Sequence, residues 1–176
     1  MTNSDIQKAI EEELNKSRYM VRSTKIEGTT SQAAMVVMDH QTGQVMGCVG
    51  GLGKKSISRG FNRATQGLRQ TGSAIKPIAV LGPALEEKII TPLTVYDDTR
   101  TTFGSDYSPT DCENELGKIT VRRAVESSQN IPFVKIMEQL SPQKAIKYME
   151  NEGISTLTDA DCDLPLALGG LQKGST

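Results

Sequence analysis

Ser73 and Lys76 are the two side chains of this sequence whose types and spacing are best suited to chemistry. They stand three positions apart in Thr-Gly-Ser-Ala-Ile-Lys-Pro at residues 71–77, where a glycine-rich stretch gives way to an apolar segment that is predicted to be a helix. Residues three apart on a helix share a face, so the lysine amine can reach the serine hydroxyl. A lysine shielded from water can lose its proton and act as the base that a serine nucleophile needs. The free N–H groups of a helix N-terminus would favour the negative charge that develops during acyl transfer.

The same spacing recurs at Ser141 and Lys144, so the spacing alone does not identify a nucleophile. Serine and lysine are common, and a chain of this length is expected to contain roughly one such pair by chance. Ser141 is followed by Pro142, and a serine before a proline is typical of a helix N-cap with proline in the first turn. We therefore predict a structural role for Ser141, with Lys144 pointing to solvent.

The composition argues against several classes of partner. The chain has 20 lysines and arginines against 21 aspartates and glutamates, so it lacks the positive charge expected of a protein that binds nucleic acid or an anionic membrane. Aromatic residues make up 4% of the sequence and tryptophan is absent, which argues against a surface on which bases stack. We expect no nucleic-acid partner.

The cysteines and the single histidine do not form a metal-binding pattern. Cys48, Cys112 and Cys162 are widely spaced and odd in number, and we predict that all three are unpaired. His40 lies in a predicted turn, which disfavours both a Ser-His-Asp triad and a His-ligated metal. We expect neither a metal nor a cofactor. No stretch approaches the roughly twenty apolar residues of a membrane span, and no export signal is visible, so the chain as written is expected to be soluble.

Hydrophobic periodicity and turn residues predict the elements around these side chains. The helix that follows Ser73 is apolar on nearly every side, which predicts that it is buried. Gly82-Pro83 lies inside this helix and should bend it, because proline removes a backbone hydrogen bond and clashes with the preceding turn. The other predicted elements are an amphipathic helix at residues 4–16, a β-hairpin of residues 33–39 and 44–49 in the core of an antiparallel sheet, long polar loops at residues 50–72 and 97–117, and helices at residues 120–127, from 131 to about 140 and from 141 to about 153.

Ser128-Gln129-Asn130 is the only S-x-N sequence in the chain, and it falls in a connection between two predicted helices. Alone it would equally fit a loop with capping side chains. Together with the Ser-x-x-Lys at residues 73–76, it resembles the second motif of the penicillin-recognising serine acyltransferases, whose S-x-x-K, S-x-N and K-T-G motifs line one cleft. Two of the three motifs are present, in the family's order.

The resemblance extends over nearly the whole chain, from about Asp5 onward, and is greatest to the transpeptidase domain of class A, bifunctional penicillin-binding proteins. Residues 32–51 resemble the first hairpin of that domain. The further matching segments are Phe61-Asn62-Arg63-Ala64-Thr65-Gln66, Arg69-Gln70, Lys76-Pro77, Tyr107-Ser108-Pro109, Thr120-Val121-Arg122-Arg123-Ala124, Asn130-Ile131-Pro132 and Leu166-Ala167-Leu168-Gly169-Gly170.

The resemblance implies an α+β fold of the penicillin-binding-protein and serine β-lactamase type. It implies that Ser73 attacks the D-Ala-D-Ala end of a peptidoglycan stem peptide, that Lys76 is the base and that Ser128 relays protons. Asn130 would bind the substrate amide and help to fix Lys76. A second strand's amine would take the acyl group to form a cross-link, and β-lactams would acylate Ser73. The four side chains are expected to converge, with Ser73 Oγ near hydrogen-bond distance of Lys76 Nζ.

Two departures from the family pattern bear on activity. Thr71 stands where the family often has proline. Because threonine restricts the backbone less than proline does, the loop is expected to be less rigid. No K-T-G occurs, and Lys173-Gly174-Ser175 follows the Leu-Gly-Gly segment too closely to replace it. We therefore expect residues 1–176 to be a partial, catalytically impaired transpeptidase domain, incomplete at the C-terminus. Its parent would be membrane-anchored, with a glycosyltransferase domain, at the outer face of the bacterial cytoplasmic membrane. Missing strands would expose apolar hairpin residues and favour self-association; those residues are Met35, Val37 and Val45.

Two alternative functions stay open at this stage. A serine β-lactamase or D,D-carboxypeptidase has the same motifs and uses water as the acceptor, but the class A flanking residues disfavour it. A non-catalytic β-lactam sensor would keep the fold and use the cleft only for binding. The absence of K-T-G from the sequence keeps this second alternative realistic.

Overall fold

The computed structural model describes residues 2–112 and 114–176, which form two compact units. One unit comprises the residues up to Leu68, and the other comprises Arg69–Ser175. Across the described residues, no helix combines the length and the apolar character that crossing a membrane requires.

The N-terminal unit packs one helix against one hairpin. Helix α1, Ser4–Leu14, begins after Asn3, whose side chain accepts hydrogen bonds from two backbone N–H groups of the first turn. Strands β1, Met35–Met38, and β2, Val45–Val49, pair antiparallel. The Gln7 side chain on α1 bonds to the backbone N–H and C=O of Cys48, at 2.9 and 3.1 Å, so the helix is fixed to β2 by polar contacts as well as apolar ones. The predicted helix and hairpin are confirmed.

The position of the hairpin differs from the prediction. Among the described residues, its two strands form the whole of their sheet, whereas the sequence pattern predicted strands inside a larger one. Val37 packs against the small core that α1 covers, but Met35 and Val45 are 38% and 39% exposed. Both faces of the hairpin carry apolar residues, but α1 covers only part of one face.

The second unit begins with a continuous helical segment, residues 72–86, whose geometry changes along its length. It is a 3₁₀ turn at Gly72–Ile75, a π turn at Pro77–Leu81 and an α-helix, α2, at Gly82–Glu86. The N–H of Gly82 bonds to the carbonyl of Pro77, five residues earlier. Residues 72–86 are therefore not a regular α-helix: the wide turn just before Pro83 accommodates the proline ring without breaking the helix. The predicted bend at Gly82-Pro83 stays a prediction.

Burial of this segment is less complete than its composition predicted. Ala79, Val80 and Ala84 are fully buried, but Ile78 and Leu85 are 37% and 39% exposed. The apolar residues on the opposite face therefore remain in contact with solvent.

Strands β3, Val95–Asp97, and β4, Lys118–Thr120, pair antiparallel at the two ends of the predicted second loop. Sequence periodicity did not reveal them, because three residues are too few to show alternation. Three helices follow, and each predicted start is confirmed: α3, Val121–Glu126, after the Thr120 cap; α4, Ile131–Leu140; and α5, Pro142–Asn151, after the Ser141 cap.

Helix α4 lies at the centre of this unit's core. Phe133, Val134, Ile136 and Met137 are at most 1% exposed, because they pack against the helical segment, α5 and the C-terminal residues of the unit. Short 3₁₀ turns at Asp159–Asp161 and Leu164–Leu168 complete the unit. The position of α4 matters for function, because the loop that precedes it, residues 127–130, contains the S-x-N sequence.

Candidate active site

Ser73 lies in the 3₁₀ turn that opens the helical segment, and its side chain is exposed. The turn is held from behind by backbone contact. A Cβ atom on Gly169 would lie 2.4 Å from the carbonyl oxygen of Gly72, so only glycine permits this approach. Gly169 also has a φ of 80°, which ends the Leu164–Leu168 turn in the left-handed region. The Leu-Ala-Leu-Gly-Gly sequence therefore supports the backbone that carries Ser73.

The chain that leads to Ser73 is tied to the last residues of the same unit. The Gln70 side-chain amide bonds to both the N–H and the C=O of Leu171. Arg69 and Ser175 exchange two backbone hydrogen bonds, of 3.0 and 2.9 Å. The segment Lys173-Gly174-Ser175 therefore helps to hold the residues that lead to Ser73. That this segment is not the family's third motif stays a prediction.

Lys76 is buried, and its ammonium group lies inside the loop of residues 127–130. The side chain is 3% exposed. Its Nζ donates to the carbonyl oxygens of Ser128 and Gln129, at 2.7 and 3.0 Å, and to Asn130 Oδ1 at 2.8 Å. Ser128 Oγ lies 3.3 Å from the same nitrogen. The Phe133 ring is on another side, with its centroid 5.0 Å from Nζ.

Burial lowers the pKa of Lys76 to about 8, because removal from water disfavours the charged amine. The negative charge of Asp111 opposes this shift. The result is an amine that exchanges a proton near neutral pH, which is the property required of a general base.

Ser128 adopts an unusual backbone conformation, with a φ of 53°. A non-glycine residue in the left-handed region costs roughly 1–3 kcal/mol, and such strain is concentrated at functional sites. Here the conformation turns both the carbonyl and the hydroxyl of Ser128 toward Lys76. The side chain of Asn130 is fixed at both ends, since its Nδ2 donates to the carbonyl of Thr110 at 2.7 Å.

The structure brings the four predicted site residues together, with one difference in detail. Ser73, Lys76 and Ser128 line a cleft of about 80 Å³, and Asn130 bonds to Lys76. Among the described residues, however, no hydrogen bond joins Ser73 Oγ to Lys76 Nζ, because the lysine donates its protons to the loop of residues 127–130. The roles predicted for the four side chains stay predictions.

Three further residues around this site were missed from the sequence. Gln129 is the middle residue of the S-x-N sequence, and its side chain is buried against Asp98. Asp111 accepts a hydrogen bond from the N–H of Asn130. The two acids lie in a polar segment without periodicity, and no spacing rule connects them to residues 127–130.

Other features of the chain lack this combination of groups. A larger cleft in the N-terminal unit, of about 340 Å³, is lined by residues of the 50–63 loop whose charged side chains are exposed. The three cysteines, all in the described part of the chain, are free, as predicted. Within residues 2–112 and 114–176, no group of three or more histidines, cysteines or acids could hold a metal ion.

Comparison with known proteins gives consistent matches. The family model of the penicillin-binding protein transpeptidase domain matches residues 33–175. Penicillin-binding protein 4 of Bacillus subtilis (strain 168) is 34% identical over 155 residues, which cover 88% of this chain and 24% of that protein. Penicillin-binding protein 1A of Clostridium botulinum (strain Langeland) is 31% identical over 186 residues, which cover 98% of this chain and 22% of that protein. The chain thus spans about a quarter of the length of these curated relatives.

Solved structures show the same fold. The PonA1 protein of Mycobacterium tuberculosis in complex with penicillin V superposes with a TM-score of 0.74 at 24% identity, over 98% of this chain and 46% of that one. Penicillin-binding protein 1A of Haemophilus influenzae gives 0.69 at 22% identity, over 86% of this chain and 23% of that one. The predicted α+β fold of the penicillin-binding-protein type is confirmed. Together with the match of the family model over most of the sequence, these similarities show that the chain belongs to the penicillin-binding protein transpeptidase domain family, with class A proteins among its relatives.

Proposed function

We propose that this chain carries the acylation site of a peptidoglycan D,D-transpeptidase that β-lactams also acylate. The observation that supports it most directly is the buried Lys76, whose amine lies in the same cleft as the exposed Ser73 and is surrounded by residues of the S-x-N sequence. An amine with a pKa of about 8 is neutral in about a tenth of the molecules at pH 7. That fraction is sufficient for a general base.

The proposed reaction begins with attack on the carbonyl of the penultimate D-alanine. Ser73 Oγ bonds to the carbonyl carbon while its proton passes to neutral Lys76 Nζ. The tetrahedral intermediate then collapses, the bond to the terminal D-alanine nitrogen breaks, and Lys76 returns the proton to that nitrogen through Ser128 Oγ. The distance of 3.3 Å between Lys76 Nζ and Ser128 Oγ is consistent with this relay. Ser73 is left as an ester of the stem peptide.

The second half of the reaction restores the serine. The amine of a neighbouring stem peptide attacks the ester, an amide cross-link forms, and Ser73 recovers its proton. A β-lactam would follow the first half alone, since opening of its ring leaves the former leaving nitrogen attached. Asn130 would contribute to substrate binding through its amide, because Nδ2 carries two protons and the carbonyl of Thr110 uses one.

The wider context belongs to the same proposal. We propose that residues 1–176 are part of a transpeptidase domain within a longer class A protein, in line with relatives about four times as long. Such a protein would carry a membrane anchor and a glycosyltransferase domain and would act at the outer face of the bacterial cytoplasmic membrane. The reduced activity of these residues alone and their self-association through the hairpin stay predictions.

Incubation with a fluorescent penicillin, followed by peptide mapping in a mass spectrometer, tests the acylation site. We expect an adduct on the peptide that contains Ser73, no adduct in Ser73→Ala, and an undiminished adduct in Ser141→Ala, which removes the serine of the second S-x-x-K pair. An adduct of equal yield in Ser73→Ala would refute the proposal. Because residues 1–176 alone are predicted to be impaired, absence of an adduct refutes it when a chain extended to the end of the domain is not labelled either. Release of hydrolysed penicillin at many turnovers per chain would instead indicate a β-lactamase.

A further inference from the structure

Two carboxyl groups, those of the buried Asp98 and the partly buried Asp111, hold the S-x-N loop from behind. Asp98 is fully buried just after β3, and its Oδ2 accepts hydrogen bonds from Gln129 Nε2 at 2.8 Å and from the N–H of Leu116 at 2.9 Å. Asp111 Oδ1 accepts hydrogen bonds from the N–H groups of Asn130 and Ile131. Each acid thus uses one oxygen to hold part of the loop.

The second oxygen of each acid is buried as well. Asp98 Oδ1 and Asp111 Oδ2 are both inaccessible to water, and within the described residues neither has a hydrogen-bond donor as a partner. A buried carboxylate oxygen without a donor is costly. The Asp111 side chain is close enough to Asp98 to act on its protonation, so two ionised carboxylates here would also repel each other. A single proton between them removes both costs, because one carboxyl then donates to the other.

We propose that Asp98 and Asp111 share one proton, with Asp98 as the protonated acid, and that this pair acts as a positioning unit for Lys76. The inference deepens the proposed function and rests on it. The pair fixes the Gln129 side chain and the backbone N–H of Asn130, and these two residues supply two of the oxygens to which Lys76 Nζ donates. The position of the amine relative to Ser73 therefore depends on the proton between the two acids.

The electrostatics of the pair agree with this arrangement. Burial raises the pKa of Asp98 above its usual range, and both the charge of Asp111 and a hydrogen bond with it act in the same direction. The hydrogen bonds from Leu116 and Gln129 oppose the shift in part. Asp111 also interacts with the charge on Lys76, which favours keeping the negative charge of the pair on Asp111.

Asparagine substitutions test this arrangement directly. The NH₂ group of an asparagine can replace the donating O–H of a protonated acid, but it cannot replace the accepting oxygen of a carboxylate. In Asp98→Asn, the amide nitrogen donates to Asp111 and the amide oxygen accepts from Gln129. In Asp111→Asn the direction reverses, because the new amide nitrogen at position 111 donates to an ionised Asp98. In the double variant, each amide oxygen must face the loop, so two NH₂ groups oppose each other without an acceptor.

The rate of Ser73 acylation by fluorescent penicillin is measured at saturating penicillin, well below the melting temperature of each variant. We expect each single asparagine variant to be two- to threefold slower than the unaltered chain, and the double variant to be at least tenfold slower. Asp98→Ala, which lacks the amide, should resemble the double variant. Asp106→Asn, at an exposed aspartate whose side chain bonds to Ser105, is the matched control. Loss of rate in either single variant as large as in the double, or an unimpaired double variant, would overturn the shared proton.

A second measurement does not depend on acylation. Infrared spectroscopy with ¹³C-labelled aspartate carboxyl groups should show one protonated aspartic acid at pH 7, and its band should disappear in Asp98→Asn and persist in Asp106→Asn. Absence of a protonated carboxyl in the unaltered chain would refute the inference even if Ser73 is acylated. Presence of the band, together with absence of labelling both in this chain and in a chain extended to the end of the domain, would instead refute only the proposed function.

Discussion

The two S-x-x-K pairs of this chain have the same spacing but different surroundings. Ser73 and Ser141 both stand at the start of a helical segment. Lys76 is 3% exposed, and its amine donates to oxygens of the loop of residues 127–130. The Lys144 side chain is 50% exposed and forms an ion pair with Glu87. The spacing therefore brings a serine and a lysine to one face, and the surrounding chain decides what the lysine can do.

Burial also lowers the proton affinity of Lys76 below that of an ordinary lysine. With a pKa of about 8, Lys76 has about 300 times more neutral amine at pH 7 than a lysine with the ordinary value of 10.5. The Lys144 amine is instead half exposed and paired with Glu87. The chemistry proposed for the first pair depends on the burial of Lys76, and variants of the two pairs can test this dependence.

The largest expected effect is that of removing the base. Lys76→Ala should reduce the rate of Ser73 acylation by penicillin by roughly a hundred- to ten-thousandfold, since general base catalysis typically contributes that much. Lys144→Ala should change the rate less than about twofold. Stopped-flow or gel-based labelling of both variants measures the contrast. Similar losses in the two variants would show that burial does not distinguish the pairs.

The pH dependence of acylation reports the pKa of Lys76 directly. Because the neutral amine is the active form, the rate should fall about tenfold per pH unit below about 8 and level off above it. The rate rises with pH because deprotonation of Lys76 produces the proposed base. The lowered pKa places the midpoint of this rise near 8 instead of 10.5. Labelling rates between about pH 5.5 and about pH 9.5 are the measurement, a range that spans the expected transition. A rate that keeps rising to the upper limit would mean that the amine is not desolvated.

Asn130 provides a way to move that transition. Asn130→Ala removes the side chain that positions Lys76 Nζ and is proposed to bind the substrate, and it should slow acylation by about tenfold, the value of about one hydrogen bond. Asn130→Asp would place a negative charge at the same atom and should raise the pKa of Lys76, so the pH profile shifts to higher pH. An unshifted profile in Asn130→Asp would indicate that Asn130 does not contact the amine in solution.

The smallest effect is expected at the second pair, and it concerns stability. Ser141→Ala removes the cap of α5, whose Oγ accepts the N–H of Lys144 at 3.4 Å, and should lower the free energy of unfolding by about 1 kcal/mol. Its acylation rate should equal that of the unaltered chain. Urea denaturation followed by circular dichroism provides the first value and penicillin labelling the second. A loss of acylation without a loss of stability would assign Ser141 a role in the chemistry.

Short-range signals predicted most of the elements in this chain. Ser141 was recognisable as a cap, and its side chain accepts a backbone N–H at the start of α5. A π turn precedes Pro83, near the position where the sequence predicted a bend. Strands β3 and β4 were missed because each has three residues and pairs with a partner more than twenty positions away. A sequence window shows spacing and caps, but not pairing at such distances.

The sequence by itself determined which side chains could share a face: Ser73 with Lys76, and Ser141 with Lys144. It also determined, through the S-x-N sequence, which loop to associate with the first pair. The tertiary structure alone decided that Lys76 is buried among oxygens about fifty residues away in the chain. It alone decided that Asp98 and Asp111 lie behind that loop. The physical reason is that burial and charge proximity set protonation, and both arise from contacts between distant segments that no local pattern records.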